Sequence, residues 1–476
     1  MTPVEFCKQL FDNFPFEPTV SQNKWFDEVA DFIFSNTPNT VFLLKGYAGT
    51  GKTTLIGSLI SQLKKVGYKS VLMAPTGRAA KVMASYSKSS AYTIHKQIYY
   101  PKSDSSGKIE FQLKPNKYRK TIFIVDEASM ISDDRNQSKI FENGSLLNDL
   151  TQYVGQGDKC KLIFVGDPAQ LPPIHLNLSP ALDTNELKHF YFDKVYSIEL
   201  ESVVRQALGS GILDNATRLR SQLCDGVYDK FQFDVDNVSD IFYSNNGMNI
   251  FDSLSSAFDK AGIDQTIFIV RSNKRANLLN GHIRKRILGW EDDLCVGDQL
   301  MVVKNNYFWL TIDSTPGFIA NGDVIEVLAI MSRKNIYDFS FAEVRVRLVD
   351  YPDEDPFETV ILLDTLKSET PSLSFEDGNR LYKNVLEDYS SERSKYKQFL
   401  KVKKNPFFNS LQVKYSYAIT CHKSQGGQWE NVFIEKPYLK EGPNKDYLRW
   451  LYTAITRAKK SLFLIGFPDE DFKSIN

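Results

Sequence analysis

The run Gly46-Tyr47-Ala48-Gly49-Thr50-Gly51-Lys52-Thr53 follows the apolar stretch Val41 to Leu44 and opens a helical pattern, Thr53 to Val66. Its spacing is G-x-x-x-x-G-K-[ST] between a strand and a helix, the setting in which that pattern cradles phosphates. The glycines let backbone N–H groups turn inward on phosphate oxygens, Lys52 reaches the β- and γ-phosphates, and Thr53, followed by Thr54, offers a hydroxyl to magnesium. Further on, the apolar stretch Thr121 to Val125 ends in Asp126-Glu127. A strand buried on both faces delivers Asp126 to the same magnesium, and Glu127 can polarise a water in line with the γ-phosphate, which points to hydrolysis rather than transfer to another acceptor. A third apolar stretch, Lys161 to Val165, ends in Gly166-Asp167-Pro168-Ala169-Gln170. The neutral amide of Gln170 can hold a γ-phosphate or its attacking water and lose that contact on hydrolysis. The cofactors expected are ATP and Mg2+.

These groups need a parallel sheet to hold them. Val41 to Leu44, Ser70 to Ala74, Thr121 to Val125, Lys161 to Val165, Thr266 to Val270 and Leu462 to Gly466 are short β-branched or aromatic runs that end in small or acidic residues, with helical patterns between several of them. Buried parallel strands of α/β units read this way. The alternation stops near residue 290 and resumes near Tyr415, so an insertion interrupts a second α/β unit. Val296 to Leu363 is strand-like with turn signals at Asn305-Asn306, Asn321-Gly322 and Tyr351-Pro352, which predicts a small β-barrel; Asn379 to Lys401 reads as a helix. Tyr99 to Lys117 predicts a hairpin or exposed loop inside the first unit. The expected units are 1–195 with a hairpin at 97–118, then 196–293 joined to 408–476, with 294–407 inserted as a barrel plus a helical extension.

The 476 residues carry 58 basic and 58 acidic side chains. Bulk charge therefore does not hold an acidic polymer, and any phosphate or nucleic-acid site must be a local patch. No apolar run reaches the roughly 18 residues of a membrane helix. Glu5, Lys8 and Asp12 among the apolar residues of Met1 to Phe16 give the wrong layout for a secretion signal, so the cytoplasm is the expected location. Five cysteines, far apart and without a C-x-x-C pair, indicate neither a disulfide framework nor a zinc site.

The ordered motifs resemble those of a superfamily 1B DNA helicase of the RecD-like and Dda-like branch, over nearly the whole chain. Gln22, in Thr19-Val20-Ser21-Gln22, matches the adenine-reading glutamine. Pro75-Thr76-Gly77-Arg78 matches the motif whose threonine touches DNA phosphate, and Thr93-Ile94-His95-Lys96 resembles the next. Arg205, in Leu200 to Gln206, matches an ATP-contacting arginine. Tyr417 to Gly426, with Thr420, His422 and Lys423, is similar to the fifth motif, and Leu451 to Ala458 resembles the sixth, whose Arg457 faces the γ-phosphate from the second domain. The resemblance implies two tandem RecA-like P-loop domains with an SH3-like barrel inserted in the second. ATP contacts would come from Gln22, Gly46, Ala48, Gly49, Thr50, Gly51, Lys52, Thr53, Thr54, Asp126 and Gly426, and turnover from Lys52, Glu127, Gln170, Arg205 and Arg457.

Nucleic-acid contacts would come from Pro75, Thr76, Thr93, His95, Thr420, His422 and Lys423, with Tyr99 and Tyr100 on a pin that splits the duplex. The run Arg393, Lys395, Lys397, Lys401, Lys403 and Lys404 reads equally as a solvated helix face or as a phosphate track. The expected activity is ATP-dependent translocation on single-stranded DNA, 5′ to 3′ by resemblance, with separation of duplex or fork DNA. Replication or repair proteins are further expected partners, and a monomer is the default state. An RNA helicase, or a nucleotide-controlled clamp that never separates strands, are the alternatives; Glu127, Gln170 and two arginine fingers argue against the clamp.

Overall fold

A computed structural model of the chain describes residues 1–476 except 104–108, 134–144, 205–208, 244–249, 311–313, 315 and 474–476. Its strands are β1 (Thr40–Gly46), β2 (Lys69–Ala74), β3 (Ala91–Thr93), β4 (Tyr99–Ser103), β5 (Ile109–Leu113), β6 (Thr121–Val125), β7 (Lys161–Gly166), β8 (Lys194–Leu200), β9 (Ile241–Tyr243) and β10 (Thr266–Val270). They continue with β11 (Gln299–Val302), β12 (Val324–Ile336), β13 (Phe339–Leu348), β14 (Phe357–Leu362), β15 (Leu411–Tyr415), β16 (Ala418–Thr420), β17 (Trp429–Glu435) and β18 (Ala458–Ile465). The first sheet has the order β3-β2-β6-β7-β1-β8 and is parallel throughout. β6 and β7 are buried along their whole length, which is why they carry no alternation of polar and apolar residues. Apolar cores lie on both faces of this sheet, one under the helix Val20–Phe34 and one under the helix Leu146–Gly155.

The order matters for chemistry. β7 lies between β6 and β1, with Leu43 opposite Phe164 and Ile124 opposite Ile163. Gly46, Asp126 and Asp167 therefore leave the same carboxyl edge side by side, the place where open α/β sheets bind ligands. The second sheet, β16-β10-β17-β18-β9, is also parallel. Between β10 and β16 the chain makes a closed barrel of β11 to β15, whose core is continuous with one face of the second sheet. The barrel is moored by a buried ion pair: Arg284 Nε and Nη2 donate to Asp298 Oδ1 and Oδ2 at 2.8 Å each, and the Tyr417 hydroxyl and Cys295 N–H donate to the same carboxylate.

Two expectations are corrected. Lys194–Leu200 pairs with β1 over its whole length, so the strand that 195/196 was expected to divide belongs entirely to the first sheet. It closes that sheet's edge, and Val204 N–H then donates to Gly49 O at 3.0 Å, holding the next segment against the P-loop. The helix expected over Asn379 to Lys401 is two helices, Phe375–Glu387 and Lys395–Lys403, which pack against β13 and β14. Ser374 and Ser394 cap their N-termini, and a charged helical pattern alone does not reveal such a break. β4 and β5 form the antiparallel hairpin within the first unit. Among the described residues no helix is long and apolar enough to cross a membrane.

The barrel also touches the first unit, where Asp323 approaches the start of the helix Gly77–Ser87. A Cβ on Gly77 would lie 2.4 Å from Asp323 Oδ1, so glycine is required there for contact between the units. Asp323 is 1% exposed, Oδ2 accepts Ala320 N–H at 2.7 Å, and Oδ1 has no partner among the described residues. Burial, with Asp350 nearby, pushes its carboxyl up to about 7. The folded chain thus keeps a proton that the unfolded chain releases near pH 4, so this group's contribution is most favourable below about pH 4 and declines until pH passes about 7. Asp323→Asn is expected to raise stability at pH 8 by about 1–3 kcal/mol and to flatten its decline toward neutrality, measured by urea unfolding across pH. An unchanged pH profile would show that Asp323 is ionised in the folded protein.

Candidate nucleotide cleft and nucleic-acid face

β1 delivers Gly46 to the loop, and Gly49 and Gly51 take φ of 73° and 84°, a left-handed backbone that turns the amides inward. The helix Lys52–Leu63 starts at Lys52, so its positive end faces the loop. Lys52 Nζ donates to Gly46 O at 2.6 Å and to Tyr47 O at 2.9 Å, contacts a phosphate can replace. Thr53 is exposed on the first helical turn, and Thr50 Oγ1 donates to Tyr47 O. Gln22 sits in a capping box with Thr19, accepts Thr19 N–H at 2.9 Å and donates to Thr50 O at 3.0 Å. One N–H and one lone pair remain on its amide, the donor and acceptor that a purine edge needs. Beside it opens a cavity of about 490 Å3, walled by Phe14, Phe16, Pro18, Thr54 and Val204.

At the end of β6, Asp126 accepts the Tyr86 hydroxyl at 2.8 Å on one oxygen and Glu127 N–H at 2.8 Å on the other. Glu127 has a φ of 52°, which turns its side chain away from the strand direction. Burial pushes its carboxyl up, while Arg457 and then Lys52 oppose that shift. Asp167 is buried as well and is pushed up by burial against Lys52. Gln170 is 7% exposed, and its Oε1 is buried without a hydrogen-bond partner among the described residues. The residues fit a magnesium-bound nucleotide: Thr53 and Asp126 are hard oxygen ligands, and Mg2+ takes one or two protein ligands beside phosphates and water.

Arg457 comes from the second unit. It is 3% exposed, and its guanidinium donates to Thr453 O, Gly427 O and Thr456 Oγ1. Its field on Glu127 and Asp167 places it on the same cleft as Lys52. Arg205 lies outside the described residues. At φ 74° a Cβ on Gly426 would come within 2.8 Å of Ala79 Cβ and 3.1 Å of Thr76 Oγ1. It is a close-approach point between the units.

Tyr452, on the helix Lys445–Ile455, was legible only as part of a run. Its hydroxyl accepts the P-loop Ala48 N–H at 2.9 Å and donates to Asp167 Oδ2 at 2.6 Å, and burial together with Asp167 keeps the phenol protonated. Leu171 N–H donates to Thr453 Oγ1 at 2.8 Å, and Gln425 Nε2 donates to Leu171 O at 2.7 Å. Nothing in the spacing distinguishes such a tyrosine from one that fills a core; only its place five residues before Arg457 hints at the cleft.

The second face joins the two sheets at equivalent points. Thr76 caps the helix after β2, and Thr420 stands before the short helix Cys421–Ser424 after β16. Pro75 is half-buried, His422 exposed and Lys423 half-buried, the last two pushed down by burial. Thr93 is a buried cap on Lys96 N–H, and burial pushes His95 down to about 4, so it is neutral at pH 7. Tyr99 departs from the expected exposed pin residue: it is 2% exposed and its hydroxyl donates to Asp149 at 2.6 Å. Tyr100, 48% exposed, keeps its ring open beneath the Lys114 ammonium.

Tyr452→Phe keeps the ring and removes both hydrogen bonds, leaving a half-buried amide and a buried carboxylate oxygen short of a partner at a cost of about 1–3 kcal/mol. The nucleotide-free cleft is expected to open, measured as a longer and broader distance distribution between spin labels on the two units. An unchanged distribution would mean that the hydroxyl does not hold them together.

Residues 30–175 match the AAA domain model and residues 415–465 the UvrD-like helicase C-terminal domain model. The ATP-dependent DNA helicase Dda of Enterobacteria phage T4 is 25% identical, over 89% of this chain and 93% of that protein. The RecBCD enzyme subunit RecD of Buchnera aphidicola is 22% identical, over 92% and 72%. A Pif1 helicase from Bacteroides, solved with ADP-AlF3 and single-stranded DNA, is 16% identical, over 97% and 95%, with a TM-score of 0.47. With an AAA domain match on the first α/β unit, a UvrD-like helicase C-terminal domain match on the second and similarity to Dda and RecD along most of its length, the chain is similar to superfamily 1B helicases of the RecD-like and Dda-like group.

Proposed function

We propose that this protein is an ATP-driven DNA helicase that moves 5′ to 3′ on a single strand and separates duplex at a fork. The observation that carries the reading is the meeting of Lys52, Glu127 and Asp167 from the first unit with Arg457 from the second around one space. A hydrolytic site divided between two units changes their separation when its γ-phosphate is lost. In this reading Lys52 exchanges its loop carbonyls for phosphate oxygens, Glu127 takes a proton from the attacking water, and Gln170 Oε1 orients that water. Arg457 stabilises the charge on the transferring oxygens. Thr53 and Asp126 would hold magnesium, which would supply positive charge against the phosphates.

The strand then lies across Pro75, Thr76 and Thr93 on one unit and Thr420, His422 and Lys423 on the other, gripped by phosphate contacts that do not read sequence. The β4–β5 hairpin is the wedge, with Tyr100 rather than Tyr99 as the ring available for stacking. The first motor lobe runs through Leu200, and the second comprises the chain on both sides of the barrel.

Three variants test the site. Glu127→Gln is expected to bind ATP as the parent does while turnover falls by about 10²–10⁴. Lys52→Ala is expected to lose hydrolysis together with phosphate affinity, and Arg457→Ala to lose about 10³ in kcat with little change in ATP affinity. Unwinding is measured on duplexes with a 5′ or a 3′ tail. Release only from the 3′-tailed substrate would reverse the polarity, and no release from either would favour a clamp.

A further inference from the structure

A second solvent-filled space lies apart from the nucleotide cleft. It is a cleft of about 760 Å3 between the barrel and the two helices Phe375–Glu387 and Lys395–Lys403. In a chain whose acids and bases are equal in number, the residues lining it include no aspartate or glutamate, two lysines (Lys304 and Lys403) and five aromatic rings. Asp377, at the start of the first helix, is turned into its own cap, accepting the Ser374 hydroxyl and pairing with Arg380. Lys304 makes no ion pair with a described residue, and the surrounding wall desolvates its ammonium and pushes its pKa down. Lys304 is exposed on the cleft wall, so its ammonium is open to an incoming anion.

The rings suit unpaired bases. Phe375 is 85% exposed at the rim, although it opens a helix in which Leu381 and Val385 are buried. Tyr382 and Phe408 lie inside at 5.9 Å between ring centres. The floor is rigid: Asn409 Nδ2 donates to Lys403 O and Asn405 O, and Asn306 Nδ2 donates to Asn409 O. Aromatic faces between lysines on a fixed floor are the chemistry that binds single-stranded nucleic acid without reading its sequence.

Position selects the strand. Tyr307, on the cleft wall, stacks on Phe318 and packs against the first-unit core that holds Ile98 and Tyr99 at the base of the hairpin. Lys96, in the same stretch, donates to Ser314 O at 2.8 Å and fixes the barrel loop there. The cleft is therefore joined to the base of the wedge, on the barrel side, while the tracking strand has its own face between Thr76 and Thr420. We propose that this cleft binds the displaced strand of the fork, with Lys304 and Lys403 against phosphates and Phe375 and Tyr382 against bases.

The inference rests on the helicase reading, and the experiment separates the two. Lys304→Glu and, independently, Phe375→Ala are compared with the parent by fluorescence anisotropy on three probes. These are a short oligonucleotide that fills only the tracking face, a 5′-tailed duplex, and the same duplex with a 3′ arm added to make a fork. Thermal melting serves as the check on folding. Both variants are expected to match the parent on the first two probes and in ATP hydrolysis stimulated by the short oligonucleotide. The added arm should tighten binding by the parent at least fivefold and should not tighten binding by the variants. For Lys304→Glu the salt dependence on the fork should also fall by about one phosphate contact, a slope change near 0.7. Equal losses on all three probes, a loss that appears with the tailed duplex alone, or no gain from the arm in the parent would each overturn the displaced-strand site. A parent without hydrolysis stimulated by DNA would instead overturn the helicase reading.

Discussion

Two hydrogen bonds through one phenol hold the arrangement that everything else uses. Tyr452 joins the P-loop amide of Ala48 to the carboxylate of Asp167, and it comes from the helix that leads into Arg457. Asp167 is buried and Ala48 half-buried, where a polar group without a partner is more costly than in water, so the bridge is favoured only when the two units are close together. The Leu171 backbone, held on one side by Thr453 and on the other by Gln425, repeats the device one turn further along the same loop. Closure of the cleft is thereby tied to the P-loop and to the loop after β7.

Electrostatics inside the cleft follows from the same burial. Glu127 and Asp167 are both pushed toward their neutral forms by loss of water, and Arg457 and Lys52 oppose the shift. The arginine is held by carbonyl oxygens and a hydroxyl rather than by a carboxylate. Its charge is therefore oriented without being cancelled, which suits a cation meant for charge that develops during a reaction.

A different constraint attaches the barrel. Gly77 lies too close to Asp323 for any side chain, and Gly426 lies too close to Ala79, so the first unit is gripped at two glycine contacts. Arg78 adds a third, its guanidinium 4.5 Å from the centre of the Trp429 ring. These contacts surround the helix capped by Thr76, so a stretch expected to touch DNA also lies where the units meet.

Local patterns were enough to reveal the nucleotide side. A buried parallel strand has to be apolar on both faces and has to end at the sheet edge, so Val41 to Leu44, Thr121 to Val125 and Lys161 to Val165 announced both the sheet and the residues it presents, Lys52, Asp126 and Gln170. The glycine spacing named its ligand class because only that spacing turns consecutive amides inward. What lay beyond reach depended on contacts between distant segments. That Lys194–Leu200 closes the first sheet is a pairing with β1, invisible in a run that reads like any other strand. Tyr99 and Tyr100 are adjacent and chemically identical, yet one is buried against Asp149 and the other faces solvent, because neighbours on a strand point to opposite faces and only the folded core decides which face is inside. Tyr452, Gly426 and the cleft beneath Phe375 are likewise properties of surfaces that meet only after folding, and side-chain identity carries no record of what will be placed opposite it.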